Sequence, residues 1–302
     1  MKKLIYVLGI SLLLWSCAKE DKKEEPTPPP VVVSDVTTIS LTSTGALLST
    51  LSTELGTVSK LKIKGIIDAR DFVAIRDYMP NLISLDLSEA TIVAYKGNEG
   101  TLLYKDTIYA GNTIPAQAFY SLTLMNKKKN LSSIILPNSI TSISDYAFSY
   151  CSSLDNFTIP SKVTSIGKGA FSYCDSLSSI NIPETVTSIG SYAFFACSNL
   201  SSFTFSSKMY LVSEHVLESC PNLQTVTLPS SISYIKDFAF ANCTNLSSVY
   251  IYKQGSAIDL FTSQNAFYGV NKTTCTIYVP LSLILPYTNY EYWSDFTHIV
   301  GM

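Results

Sequence analysis

The sequence predicts a mainly β solenoid with some α, built from 23-residue coils and closed by an α/β cap at the N-terminus and a second cap at the C-terminus. Three observations predict it. The segment Leu154-Asp155-Asn156-Phe157-Thr158-Ile159-Pro160 recurs as Leu177 to Pro183 and as Leu223 to Pro229. Degenerate copies begin at Leu131, Leu200 and Leu246, the last two carrying Ser206 and Tyr252 in place of the proline. A second motif keeps the same phase: Ile143 to Phe148, Ile166 to Phe171, Ile189 to Phe194 and Ile235 to Phe240 all end in Ala-Phe, and Val212 to Leu217 is a variant copy. Finally, Cys151, Cys174, Cys197, Cys220 and Cys243 repeat with the same 23-residue step. A fixed period of this size marks stacked supersecondary units, each too small to bury its own apolar face.

Within a coil, period-two alternation places Phe157 and Ile159 inward and Asn156 and Thr158 outward, so Leu154 to Ile159 is read as a strand. The proline ends that strand because it has no N–H to give the ladder. The coils occupy residues 81–280, extended past insertions by Ile114 to Phe119 and by Ala266-Phe267. An open coil would expose an unpaired edge and a bare core, so both ends need covers. Residues 36–80 supply one: a helical stretch from Gly45 to Leu55, a strand at Leu61 to Lys64, and a second helical stretch from Asp68 to Tyr78. Residues 281–302 supply the other, in which Trp293 and Phe296 plug the core after a last strand at Thr276 to Val279.

Each unit reads L-x-x-I-x-I-P and then V-T-x-I-G-x-x-A-F-x-x-C, and this resembles the BspA-like (Treponema pallidum-type) leucine-rich repeat over most of residues 60–280. The aromatic ending, Trp293 and Phe296 followed by Ile299, is similar to that of Bacteroides members. The resemblance implies a leucine-rich-repeat solenoid carried by a surface lipoprotein of Bacteroidetes, serving protein binding or adhesion to host matrix or other cells. A glycan-binding surface component is the alternative, and an accessory hydrolase a more distant one.

The N-terminus fits that address. Lys2 and Lys3 precede an apolar run from Leu4 to Leu14, too short to cross a bilayer as a helix, so residues 1–16 read as a signal peptide. Leu14-Trp15-Ser16-Cys17 resembles the bacterial lipobox, in which the cysteine is lipidated, although Trp15 is an uncommon occupant. Ala18-Lys19-Glu20-Asp21 resembles the export signal of Bacteroidetes surface lipoproteins, which implies the outer membrane and its exterior face; the periplasmic face is the alternative. Residues 17–35, charged and then rich in proline (Pro26, Pro28, Pro29, Pro30), read as a flexible tether with a reach of about 50 Å at about 3.1 Å per residue.

Charged residues are only 15% of the chain and the net charge is −2, which leaves no basic stripe for nucleic acid. The cysteine column is read as buried core, because Leu122 and Val270 hold the same position in the outer copies; serine there would bury an unsatisfied hydroxyl. A stacked column sets its members on a line, whereas zinc needs ligands converging on a point. His215 and His298, the two histidines, form no triad by spacing, and Asp155, Asp175, Glu184 and Glu218 form no recurring pair. The expected protein is a non-catalytic monomer without metal or cofactor, whose partner is an extracellular protein or glycan.

The candidate binding face is the set of outward strand positions: Asn156, Thr158, Ser179, Asn181, Ser202, Thr204, Thr225, Thr227, Ser248 and Tyr250. Such a band of hydroxyls and amides can hydrogen-bond an extended ligand along its length. The segments 95–113 and 254–264 depart from the repeat and read as loops, the first carrying Tyr95, Tyr104 and Tyr109 as a candidate binding loop. Asp106-Thr107-Ile108 resembles the O-glycosylation motif of Bacteroides, which would place a sugar on Thr107.

Overall fold

The structure, a computed structural model, describes residues 36–102, 106–120, 130–253, 260–290 and 292–302. The signal peptide, Cys17 and the tether lie outside the described residues, as do Tyr104, Leu122 and residues 254–259 of the second insertion. The chain from Asp35 to Met302 folds as one unit. Three sets of backbone hydrogen bonds join neighbouring coils, two made by parallel strands and one by turns, and not every coil takes part in all three.

The first ladder contains the L-x-x-I segments. It begins earlier than the repeat does, because Thr37–Leu41 pairs in parallel with Lys60–Ile67, Lys60–Ile67 with Ser84–Ile92, and Ser84–Ile92 with Ser133–Ile135. The N-terminal cap is therefore two further coils whose return paths are helical, rather than a lid laid over the end. Its helices, Leu47–Leu51 and Ala69–Tyr78, are joined by one carboxylate: buried Asp71 accepts hydrogen bonds from the backbone N–H of Gly45 (2.8 Å), Leu47 (3.0 Å) and Asp68 (2.9 Å). Asp68 caps the second helix in return, accepting from Arg70 N at 2.9 Å.

At the far end Ser202–Thr204, Thr225–Leu228, Ser248–Ile251 and Thr276–Val279 continue the first ladder in register. Thr276–Val279 is not the last strand. His298–Gly301 returns beside it in parallel, so the C-terminal segment supplies a strand as well as the plug. Trp293 and Phe296 are buried against Phe267, at centroid distances of 5.5 and 5.4 Å. Tyr252, standing where other coils have proline, donates its N–H to Leu228 O at 3.0 Å and adds a rung that Pro160 and Pro183 cannot make.

Between these two stretches the first ladder lapses. Residues 154–160 keep a single bridge, Ser133 to Asn156, and 177–183 form no strand, although Phe157, Ile159 and Ile182 still face inward. The second ladder, of two-residue strands, runs from Thr113–Ile114 through Ser142–Ile143 and Ser165–Ile166 to Ser188–Ile189, then resumes from Leu211–Val212 to Phe261–Thr262.

Turns built on Ala-Phe make the third set. From Tyr146 to Asn242, two residues in each turn sit in the left-handed region, as at Tyr146 and Tyr150, at Tyr192 and Ala196, and at His215 and Ser219. Such backbone costs side-chain-bearing residues energy. The cost is offset because their N–H groups reach the next coil: Tyr146 N to Lys168 O at 2.8 Å, Tyr150 N to Ser172 O at 2.8 Å, His215 N to Asp237 O at 3.0 Å. The turn phenylalanines form the core's spine, with Phe119, Phe148, Phe171 and Phe194 stacked at 5.0, 5.2 and 5.3 Å.

Among the described residues the cysteines are buried thiols, none in a disulfide, and burial pushes Cys197 and Cys243 up to about 12. The column is not purely apolar, however. Cys174 Sγ donates to Phe148 O (3.3 Å), and Cys197, Cys220 and Cys243 repeat the contact at 3.1–3.2 Å. A serine here would have an acceptor in view but a shorter bond with which to reach it. Cys174→Val, which leaves Phe148 O its bond from Cys151 N, is expected to change stability by less than about 1 kcal/mol. Cys174→Ser should cost about 1–2 kcal/mol, so thermal melts of the two variants should separate, and equal large losses would refute this account.

Candidate functional site

Register aligns the outward residues of the first ladder in two rows. Ser202, Thr225, Ser248, Thr276 and His298 form one, and Thr204, Thr227, Tyr250, Tyr278 and Val300 the other. Successive members stand about 4.8 Å apart. Asn156, Thr158, Ser179, Asn181, Ser202 and Thr204 are exposed, whereas Thr225, Thr227, Ser248 and Tyr250 are half-buried by their neighbours. Where the ladder lapses, Asn156, Thr158 and Pro160 face Ser133, Ile135 and Asn138 across a groove of about 340 Å³.

The face changes character along its length. At the N-terminal end Lys62 pairs with Asp86 (3.1 Å) and Glu89 (2.7 Å), and Lys64 with Glu89 (3.0 Å). Hydrogen bonds from Lys62 and then Lys64 hold the Glu89 carboxyl below its ordinary range. The middle is hydroxyl and amide. At the C-terminal end the rings of Tyr250 and Tyr278 stack at 4.5 Å, and Tyr252 is exposed beside them.

The segment read as a tyrosine loop is a hairpin, Tyr95–Gly97 against Thr107–Tyr109. Tyr109 is buried, and its hydroxyl is engaged by the backbone of Leu102, accepting from the N–H at 2.7 Å. Tyr95 packs on it at 5.8 Å beneath the Arg70 guanidinium. These two rings hold the hairpin together; what the hairpin presents is Ile108, 75% exposed, beside half-buried Thr107.

Two features escaped the sequence reading. One is a groove of about 570 Å³ over the second ladder, where Ser142, Ser165 and Ser188 line up and Ser142 and Ser165 share a 2.9 Å hydrogen bond. Gly167 lets neighbouring coils approach there, since a Cβ would stand 2.5 Å from Asp145 N. The 23-residue recurrence of the serines was the available signal. The other is a set of aromatic columns on the turns: Tyr120, which is buried, Tyr150 and Tyr173 follow one another at 5.1 and 4.2 Å, and His215 lies between Tyr192 (4.3 Å) and Phe238 (5.1 Å). Gly169 interrupts the second column, where the Tyr146 ring takes the side-chain space.

His215 also gathers two carboxylates, Glu218 Oε2 at 2.5 Å from Nδ1 and Glu214 Oε1 at 3.3 Å from Nε2. Sequence spacing left Glu218 unassigned, and the left-handed turn brings it in. Both ring nitrogens are engaged by these acids and both ring faces by aromatics, an arrangement that packs the turn.

Residues 112–247 and 164–291 match the BspA type Leucine rich repeat region, in six copies, and together span more than half of the chain. The chain belongs to the BspA-type leucine-rich-repeat family. No curated protein matches it in sequence. Among solved structures, the pneumococcal vaccine antigen PcpA is similar at 17% identity and TM-score 0.52, over 81% of this chain and 62% of that one. A leucine-rich repeat protein from Bacteroides ovatus matches at 19% identity and TM-score 0.43 over 80% and 64%, and the T. pallidum leucine-rich repeat protein at 20% and 0.40 over 70% and 71%. This BspA-type chain thus spans just under two thirds of the first two. The likeness to PcpA is one of fold.

Proposed function

We propose that this BspA-type protein is a non-catalytic adhesin or receptor whose first-ladder face binds an extracellular protein. The supporting observation is the grooved band of uncharged hydroxyls and amides through Asn156, Thr158, Ser179 and Asn181. Where the ladder lapses, Asn156 and Thr158 border a groove that an extended segment of a partner can enter, and Ser179 and Asn181 are exposed on the next coil. Tyr250 and Tyr278 add a rigid aromatic anchor of the kind that dominates interface energies. In this reading Cys17 carries lipid, residues 17–35 lift the solenoid from the outer membrane, and the face is displayed outside the cell.

The test is capture by the immobilised chain from a panel of host matrix proteins, mucins and glycans, repeated with Asn156→Ala/Thr158→Ala/Tyr250→Ala. Loss of at least tenfold in affinity for a protein partner is expected. Binding that survives the triple change, or binding of glycans alone, would refute the assignment to this face. Protease treatment of intact cells distinguishes exterior from periplasmic display.

A further inference from the structure

The two ladders end unequally. The first runs on through Thr276–Val279 and His298–Gly301, while the second stops at Phe261–Thr262, which forms the edge of its sheet. The C-terminal segment folds back over the core and leaves a pocket of about 330 Å³ at that stopping point, lined from one side by Thr262 to Asn265 and from the other by Tyr292 and Asp295.

The repeat changes composition at this coil. The inward column of the second ladder reads Ile114, Ile143, Ile166, Ile189, Val212 and Ile235, and its last member is Thr262. Thr262 is only 8% exposed, and its hydroxyl has no hydrogen-bond partner among the described residues. Leaving a buried hydroxyl unsatisfied costs stability that valine would not. Three positions along, the turn column that holds an aromatic ring or glycine from Tyr146 to Phe238 holds Asn265, next to Gln264. At the rim Lys272 donates to Asp295 at 2.7 Å, placing a strong donor beside a strong acceptor with no net charge.

We propose that this pocket binds a neutral sugar ring, such as the terminal residue of a glycan. A neutral polyol matches the lining: the ion pair can give and take a hydrogen bond with adjacent hydroxyls, the amides of Gln264 and Asn265 offer both polarities, and Tyr292 supplies an aromatic flank. An anion would meet Asp295 and a cation Lys272, so neither is favoured. The orphan hydroxyl of Thr262 gains its partner from the ligand. This site is separate from the first-ladder face and does not depend on the function proposed for it.

Saturation-transfer NMR and calorimetry on the full chain test it, with methyl glycosides of glucose, galactose, mannose and N-acetylglucosamine as probes and inorganic phosphate and glycine as non-sugar controls. At least one glycoside is expected to bind with a Kd near the millimolar range. Thr262→Val, which restores the aliphatic column and so should raise the melting temperature, is expected to weaken binding at least tenfold. Gln264→Ala, at an exposed position, should weaken it as well and serves if the first variant misfolds. Silence from every glycoside, undiminished binding in both variants, or phosphate or glycine bound in place of sugar would overturn the proposal.

Discussion

Phe171→Ala is expected to destabilise the solenoid by about 3–5 kcal/mol. The ring is fully buried between Phe148 and Phe194, nearly parallel to both at 10° and 2°, with Phe157 edge-on at 4.9 Å. Its removal opens a cavity at the centre of the spine, and the neighbouring coils cannot close it without breaking the turn bonds Phe148 N to Ala170 O and Phe171 N to Ala193 O, at 2.8 and 2.7 Å. Because coils touch only their neighbours, such a defect loosens cooperativity between the two halves as well as lowering the total. Phe171→Leu makes the control, since Leu217 already fills the same column; its cost should stay below about 1.5 kcal/mol. Urea unfolding followed by circular dichroism measures both. A loss below about 1 kcal/mol for the alanine variant, or equal losses for the two, would show that the spine does not hold the stack together.

Asp71→Ala is expected to cost on the order of 3–4 kcal/mol, by leaving three backbone N–H groups of the N-terminal cap without their acceptor. Those groups belong to both helices and to the turn between strand and helix, so the change separates Leu47–Leu51 from Ala69–Tyr78. Asp71→Asn, which keeps one acceptor oxygen, should lose roughly half as much. The readout is amide hydrogen exchange: protection should fall first in residues 37–67 and leave residues 202–279 unaffected. Uniform loss along the chain would mean that the cap governs the whole fold rather than its own end.

The coil interior was legible in the sequence because stacking writes each column out as a recurring residue. Phe148, Phe171 and Phe194, or Cys174 and Cys197, announce a shared environment without any knowledge of that environment. The hydrogen bond from each thiol to a carbonyl was invisible, since a column of like residues reports packing and not partners. The first ladder's lapse was equally hidden: Leu177-Ser178-Ser179-Ile180-Asn181-Ile182 has the same alternation as Leu223 to Leu228, and only the latter pairs as a strand. The serine groove went unread because two-residue strands are too short for alternation to be counted. Tyr95 and Tyr109 misled for a simpler reason, that a tyrosine in an insertion can face either way and these pack on each other. The pocket at Thr262 depends on the fold-back of residues 281–302, which no local pattern encodes.

The interruptions of the two ladders meet at one place. Between the coil ending near Cys197 and the coil beginning at Leu200, neither ladder pairs as strands, and Leu217 breaks the phenylalanine spine on the far side. What spans this junction is the turn bonds, Tyr192 N to Glu214 O, Phe194 N to Val216 O and Ala196 N to Glu218 O, with the isolated bond Ser201 N to Ser178 O and side-chain ties such as Ser207 to Glu184. A load drawn along the axis of the solenoid runs parallel to these bonds and meets no strand ladder here. The molecule therefore carries a mechanical crease: stretched between its two ends, it should part at residues 197–200 into two shorter stacks, each with its own strand ladder, before either stack unravels.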